Sequence, residues 1–140
     1  EIIKKLEDIG DNIVVLFAVD NLDYLKKGGR LSASKAVIGS MLSIKPILQM
    51  QDGFIVNIDQ ARGHKKVISK MISMVKKYIK DNIEDKRIGI AHGDNEIEFE
   101  KLKEVIENEL DFNRIVETKI GPSIGSHTGA GTIGLCIWDK

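Results

Sequence analysis

The hydrophobic positions of this chain fall into segments of two periods. Ile2, Ile3, Leu6 and Ile9 recur at helical spacing, which predicts a first helix ending near Gly10. Ile13 to Val19 is an almost continuous apolar run rich in valine and isoleucine, the pattern of a strand covered on both faces. Asp20 or Asn21 then caps a short helix through Tyr24 and Leu25, stopped by Gly28 and Gly29. Ser32 or Ser34 caps a second short helix carrying Val37, Ile38, Met41 and Leu42. Gly39 and Ser40 leave one of its sides small, and Pro46 marks the boundary.

Ile47 to Met50 and Phe54 to Ile58 flank Gln51-Asp52-Gly53, whose Asp-Gly pair is hairpin-turn chemistry. From His64 to Ile79 the pairs Val67/Ile68, Met71/Ile72, Met74/Val75 and Tyr78/Ile79 predict an amphipathic helix. Its lysines at 65, 66, 70, 76, 77 and 80 form a solvated face. A strand over Arg87 to Ala91 leads into a helix with Phe99, Leu102, Val105, Ile106 and Leu110 on one face. Two strands, Arg114 to Ile120 and Thr132 to Trp138, bracket a loop dense in glycine and serine. They either pair side by side, if that loop folds back, or stand apart with the loop crossing the sheet end. Strands alternating with helices, plus a hairpin, imply a single α/β domain: a mixed sheet flanked by helices with an inserted β-hairpin.

Composition narrows the function classes. With 140 residues, 42% hydrophobic and 30% charged, the chain has the balance of one soluble domain with a real core. Its 21 basic and 21 acidic residues cancel, which argues against nucleic acid or an anionic membrane surface as partner. No run approaches the roughly 20 apolar residues of a membrane span, so stable membrane insertion is not expected and a cytoplasmic protein is. Cys136 is the one cysteine, which excludes an internal disulfide and a cysteine-based zinc site; a buried, inert thiol is expected. The chain starts without methionine inside a helical pattern, as a fragment does.

The segment Gly121-Pro122-Ser123-Ile124-Gly125-Ser126-His127-Thr128-Gly129-Ala130-Gly131 carries the most chemistry. Its first five residues fit the nucleophile elbow G-x-S-x-G, but that motif requires a helix after the serine and an acid and a histidine downstream. Gly125 and Gly129 oppose such a helix. Gly129 to Gly134 fits G-x-G-x-x-G, yet only six residues follow, too few for the acidic partner of a dinucleotide site. The small neighbours of His127 leave its imidazole accessible and offer backbone N–H groups to an anion, and a bound carboxylate favours the protonated, donating ring. His92 in Ala91-His92-Gly93-Asp94 is a rival candidate, although capping by Asp94 explains that turn without a ligand. His64 reads as a surface residue.

Three segments together resemble the DegV family. They are Val19-Asp20-Asn21-Leu22-Asp23-Tyr24-Leu25-Lys26-Lys27-Gly28-Gly29-Arg30-Leu31, Gly39-Ser40-Met41-Leu42-Ser43-Ile44-Lys45-Pro46-Ile47-Leu48, and Ile120 through Gly131. Ala61-Arg62-Gly63 after the hairpin fits as well, and one departure is Ala130, where the family more often has proline. The resemblance implies a carboxyl-terminal domain that binds one long-chain fatty acid against an amino-terminal domain absent from this chain. It also implies presentation of the lipid to the catalytic subunit of a bacterial fatty acid kinase, without catalysis by this chain or a cofactor. Val37, Ile38, Met41, Leu42 and Ile44 then line the acyl pocket, and His127, with Ser126 and Thr128, holds the carboxylate. Arg30 and Arg62 face the kinase or the pocket mouth. Two alternatives stand beside this reading: an enzyme using His127 with Ser123, Ser126 or Thr128, and a regulatory or assembly domain using the apolar helix 36–44 as an interface.

Overall fold

The computed structural model describes residues 1–30, 44–79 and 83–139. The predicted helix over Val37, Ile38, Met41 and Leu42 lies outside the described residues. Helix α1 (Ile2–Asn12) leads into strand β1 (Val14–Ala18), followed by the short helix α2 (Asp23–Lys27). The hairpin β2 (Ile44–Gln51) and β3 (Phe54–Arg62) precedes the long helix α3 (His64–Ile79). Next come β4 (Lys86–Gly93), α4 (Glu96–Glu109), β5 (Ile115–Lys119), α5 (Pro122–Thr128) and β6 (Thr132–Asp139). The strands form one mixed sheet in the order β3-β2-β1-β6-β4-β5. Because β1 and β4 both run antiparallel to β6, and β5 runs parallel to β4, the chain leaves β1, β4 and β5 at the same end of the sheet.

Strand alternation sorts the side chains onto two unlike faces. On one face Leu16, Ala18, Ile47, Ile88, Ile90, Ile133, Leu135 and Ile137 pack with Val67, Ile68, Met71, Ile72 and Val75 of α3 and Phe99, Leu102 and Ile106 of α4. This is the main core, and each fully buried Leu, Ile or Met contributes about 1.5–3 kcal/mol. The opposite face carries a small cluster of Phe17, Val19 and Leu48 under Leu25 of α2, with α5 beside α2.

Several sequence expectations are corrected by the structure. Helix α1 runs past Gly10 to Asn12, since one exposed glycine costs less than the turn it interrupts gains. Pro46 lies inside β2 rather than at a boundary, and Ile44 opens that strand instead of closing a helix. The ladder to β1 begins only at Ile47, so Pro46 pairs on one side alone, where a missing donor is tolerated. The glycine-rich segment is the helix α5, with Pro122 in its first turn and Gly129 as its C-cap at φ 77°, where a left-handed residue is favoured. Its flanking strands stand apart, with β4 between β5 and β6.

The turn after β4 is also built differently. Asp94 takes a left-handed φ of 52° and Asn95 occupies the helix N-cap, while the backbone N–H of Asn95 donates to His92 Nδ1 at 3.2 Å. His92 is buried and tilted against Phe99, so it serves the turn and the core. His64 is partly buried and sits 3.7 Å from Asp20, which also pairs with Lys45. Before α2 it is Asn21 that binds backbone, its Oδ1 accepting from the N–H of Asp23 at 2.8 Å.

Candidate functional site

The face of the sheet that α3 and α4 leave open holds a cavity of about 690 Å³. Its floor follows from the strand register. One row across the sheet reads Phe17, Gly134, Ala91, Thr118, and the next reads Val15, Cys136, Gly89, Val116. The two central strands contribute glycine, alanine or cysteine, while the flanking strands contribute larger side chains. The result is a trough with β6 and β4 as its bed. Every one of these eight residues lines the cavity, with Trp138 beyond them and Met50 and Ile55 toward the hairpin. The volume lies within the range of small-molecule sites, and the lining is mostly apolar with a few polar groups.

The polar groups gather where β1, β4 and β5 end. Arg30, Ser123, His127, Thr128 and Thr132 line the cavity there. Helix α5 is anchored at both flanks to the end of β4: the N–H of Ile120 donates to the carbonyl of His92, and that of Gly131 to the carbonyl of Gly93, each at 2.8 Å. Thr132 Oγ1 donates to the carbonyl of Gly129 at 2.9 Å, closing the helix onto β6. Helix α2 packs on α5 through two glycines. The imidazole of His127 occupies the space where a side chain on Gly28 would begin, and the Tyr24 ring stands 2.6 Å from the place of a Cβ on Gly129. His127 is thus a partly buried residue on a fixed helix, wedged against α2 with its ring on the cavity.

The other expected site residues fall as follows. Thr128 lines the cavity but is 5% exposed, and its hydroxyl donates to the carbonyl of Ile124 within the helix. Ser126 is exposed, turns its hydroxyl to the carbonyl of Ser123, and is not among the cavity-lining residues; Ser123 is. Arg30 lines the cavity with its guanidinium donating to the carbonyl of Gly28 at 2.7 Å, while Arg62 is exposed at the end of β3, away from the lining. Ile44 is partly buried in β2 and outside the lining, and Val37, Ile38, Met41 and Leu42 lie outside the described residues. Cys136 is only partly buried, correcting the expectation of a buried thiol, and burial still pushes its thiol above the ordinary value. The residues that sequence reading missed are the trough itself: Gly89, Ala91, Gly134 and Trp138. For the three small residues the signal was present, as Gly89 and Ala91 in one strand and Gly134 and Cys136 in another, each pair two positions apart.

The family model that matches, over residues 1–140, is described as "Uncharacterised protein, DegV family". This chain belongs to the DegV family. A DegV domain-containing protein of Clostridium perfringens is 40% identical over 136 residues, covering 96% of this chain and 46% of that protein. Protein DegV of Bacillus subtilis is 33% identical over 136 residues, 97% of this chain and 48% of its own length. The chain therefore spans about half the length of the curated relatives it matches. Among solved structures, a DegV family protein from Thermus thermophilus described by its fatty acid binding superposes with TM-score 0.87 at 28% identity, over 99% of this chain and 50% of that one. A fatty-acid-binding DegV family protein from Streptococcus agalactiae gives TM-score 0.86 at 30% identity, over 99% and 49%. A stearic-acid-binding protein from Eubacterium ventriosum gives 0.78 at 28%, over 99% and 48%. The mixed α/β fold is that of these DegV proteins. Among the described residues no helix is long and apolar enough to cross a membrane.

Proposed function

We propose that this chain is the carboxyl-terminal, lipid-binding half of a two-domain DegV protein, with a long-chain fatty acid lying in the trough and its carboxylate beside His127. The observation that carries this reading is the division of one cavity into an apolar bed of small residues and a polar end built on α5. The fatty acids bound by the solved DegV relatives support it. From Thr132 to Trp138 the strand extends about 20 Å, comparable with an extended long acyl chain. At about 0.8 kcal/mol per buried CH₂, such a chain supplies roughly 10 kcal/mol before ordering costs, so the carboxylate contact sets orientation more than affinity.

The decisive experiment compares acid and alcohol in the full-length protein. His127→Ala removes one charge-assisted hydrogen bond, on the order of 1.5–3 kcal/mol, and fatty acid affinity falls by roughly ten- to a hundredfold. The corresponding fatty alcohol offers no anion and is affected much less. Equal weakening of both ligands, or of neither, removes His127 from the carboxylate site. Absence of any copurifying fatty acid in native mass spectrometry of the unaltered protein refutes the lipid reading as a whole.

We further propose that the carboxylate is presented to a partner kinase for acyl-phosphate formation, with Arg30 and Arg62 on the presenting side. Both are exposed, and Arg30 stands at the polar end of the cavity, which supports a role at its mouth. Arg→Ala at either position is expected to slow phosphorylation of bound lipid while leaving lipid content near normal. Loss of bound lipid in Arg30→Ala would place that arginine with the carboxylate instead.

A further inference from the structure

The two ends of the trough are lined differently, by the polar groups around α5 at one and by Trp138 at the other. Along β6 the residues on the open face are Gly134, Cys136 and then Trp138, so the first large side chain met after the polar end is the indole. The ring does not stand over its own strand alone. Its Cζ3 and Cη2 atoms lie 3.4 and 3.7 Å from the place of a Cβ on Gly89, in the neighbouring strand β4, and Cys136 Sγ lies 2.9 Å from the same point. Because Gly89 has no side chain, the indole and the thiol can occupy the bed of the last row, between the walls formed by Val15 and Val116. Trp138 is partly buried and is not part of the helix-side core. The indole therefore fills space over Gly89 in a bed otherwise made of small residues.

We propose that Trp138 is the stop that sets the length of the acyl chain, and that Gly89 determines how far the indole reaches into the trough. This inference rests on the reading of the trough as an acyl site and adds to it a specificity-determining pair. An acyl chain entering from His127 runs down the bed until its methyl end meets the indole. A longer chain must expose its last methylenes or displace the ring, and a shorter one leaves apolar surface uncovered.

The test is the chain-length profile of the full-length protein, read by displacement titration across saturated fatty acids that differ in steps of two methylenes. Trp138→Ala moves the preference to longer chains, with the affinity ratio between neighbouring lengths shifting by roughly tenfold, since two methylenes are gained by burial. Trp138→Phe, a smaller change to packing, shifts it in the same direction by less. Gly89→Ala acts oppositely: its Cβ drives the Cys136 thiol or the indole into the trough, and the preference moves to shorter chains. An unchanged profile in both folded Trp138 variants, with normal binding in the unaltered protein, overturns the inference and leaves the lipid reading intact. If the unaltered protein takes up no fatty acid of any length, the lipid reading fails and this inference with it.

Discussion

Gly28 and His127 show how one backbone position can govern the side chain proposed to meet the carboxylate. Gly28 has ordinary right-handed helical angles, φ −76° and ψ −4°, so alanine there carries no backbone strain and removes some unfolded-state entropy. Its Cβ, however, takes the place of the His127 ring. Gly28→Ala is therefore expected to leave the thermal midpoint within a few degrees of the unaltered protein while weakening fatty acid binding nearly as much as His127→Ala. Calorimetry and acid titration on the same sample check both halves. A large loss of stability with unchanged binding would mean that the imidazole moves aside without consequence. Gly129 differs, because at φ 77° and against Tyr24 a side chain is strained whatever the ring does.

At the scale of elements, α3 is held to the sheet by its apolar face and tied at one point by charge. Lys70 Nζ donates to Asp59 Oδ1 at 2.7 Å and to the carbonyl of Gln60 at 2.9 Å, bridging α3 to β3. The hydrogen bond from Lys70 holds the Asp59 carboxyl below its ordinary value of 3.8. A depressed carboxylate contributes stability above that value, and the contribution is lost as pH falls through the lowered one. With side chains 43% and 33% exposed, the pair is screened, and its contribution is about 0.5 kcal/mol or less. Asp59→Asn is expected to lower the urea midpoint slightly at neutral pH, with the difference shrinking as pH falls below 3.8. A difference that persists undiminished in acid would assign the effect to packing. A second lysine of the helix, Lys76, pairs with Glu109 of α4 at 2.6 Å.

For the whole molecule, the asymmetry of the sheet is the main fact. One face is sealed by α3 and α4, and the other presents Val116 at 42%, Met50 at 38% and Ile124 at 61% exposure around the cavity. Ile2, Ile3 and Leu6 of α1 are also largely exposed, at 78%, 73% and 63%. Such apolar surface on a chain half as long as its relatives fits the proposal that another domain supplies the second wall of the site. The 140-residue chain alone is expected to fold cooperatively, because its main core is complete, yet to hold fatty acid poorly. Tight, stoichiometric binding of a long-chain fatty acid to the isolated chain, measured by calorimetry, would show that the trough suffices without a second wall.

Local chemistry made much of this legible from the sequence. The 3.6-residue spacing of Val67 to Ile79 and Phe99 to Leu110, the apolar run at β1 and the Asp-Gly turn each depend on near neighbours, so the α/β class and the hairpin followed from the chain alone. The family resemblance rested on short motifs and pointed to His127. What sequence reading misplaced depends on distant partners. Pro46 is acceptable in β2 because the β1 ladder stops short of it, and Gly125 is acceptable in α5 because both flanks of that helix are tied to β4. The trough is a property of register: Gly89 and Cys136 meet across two strands separated by 47 positions in the chain, and only the pairing of β4 with β6 makes small residues adjacent. Periodicity determined which residues face a common side, and tertiary structure decided which side α3 and α4 cover and which side holds the cavity.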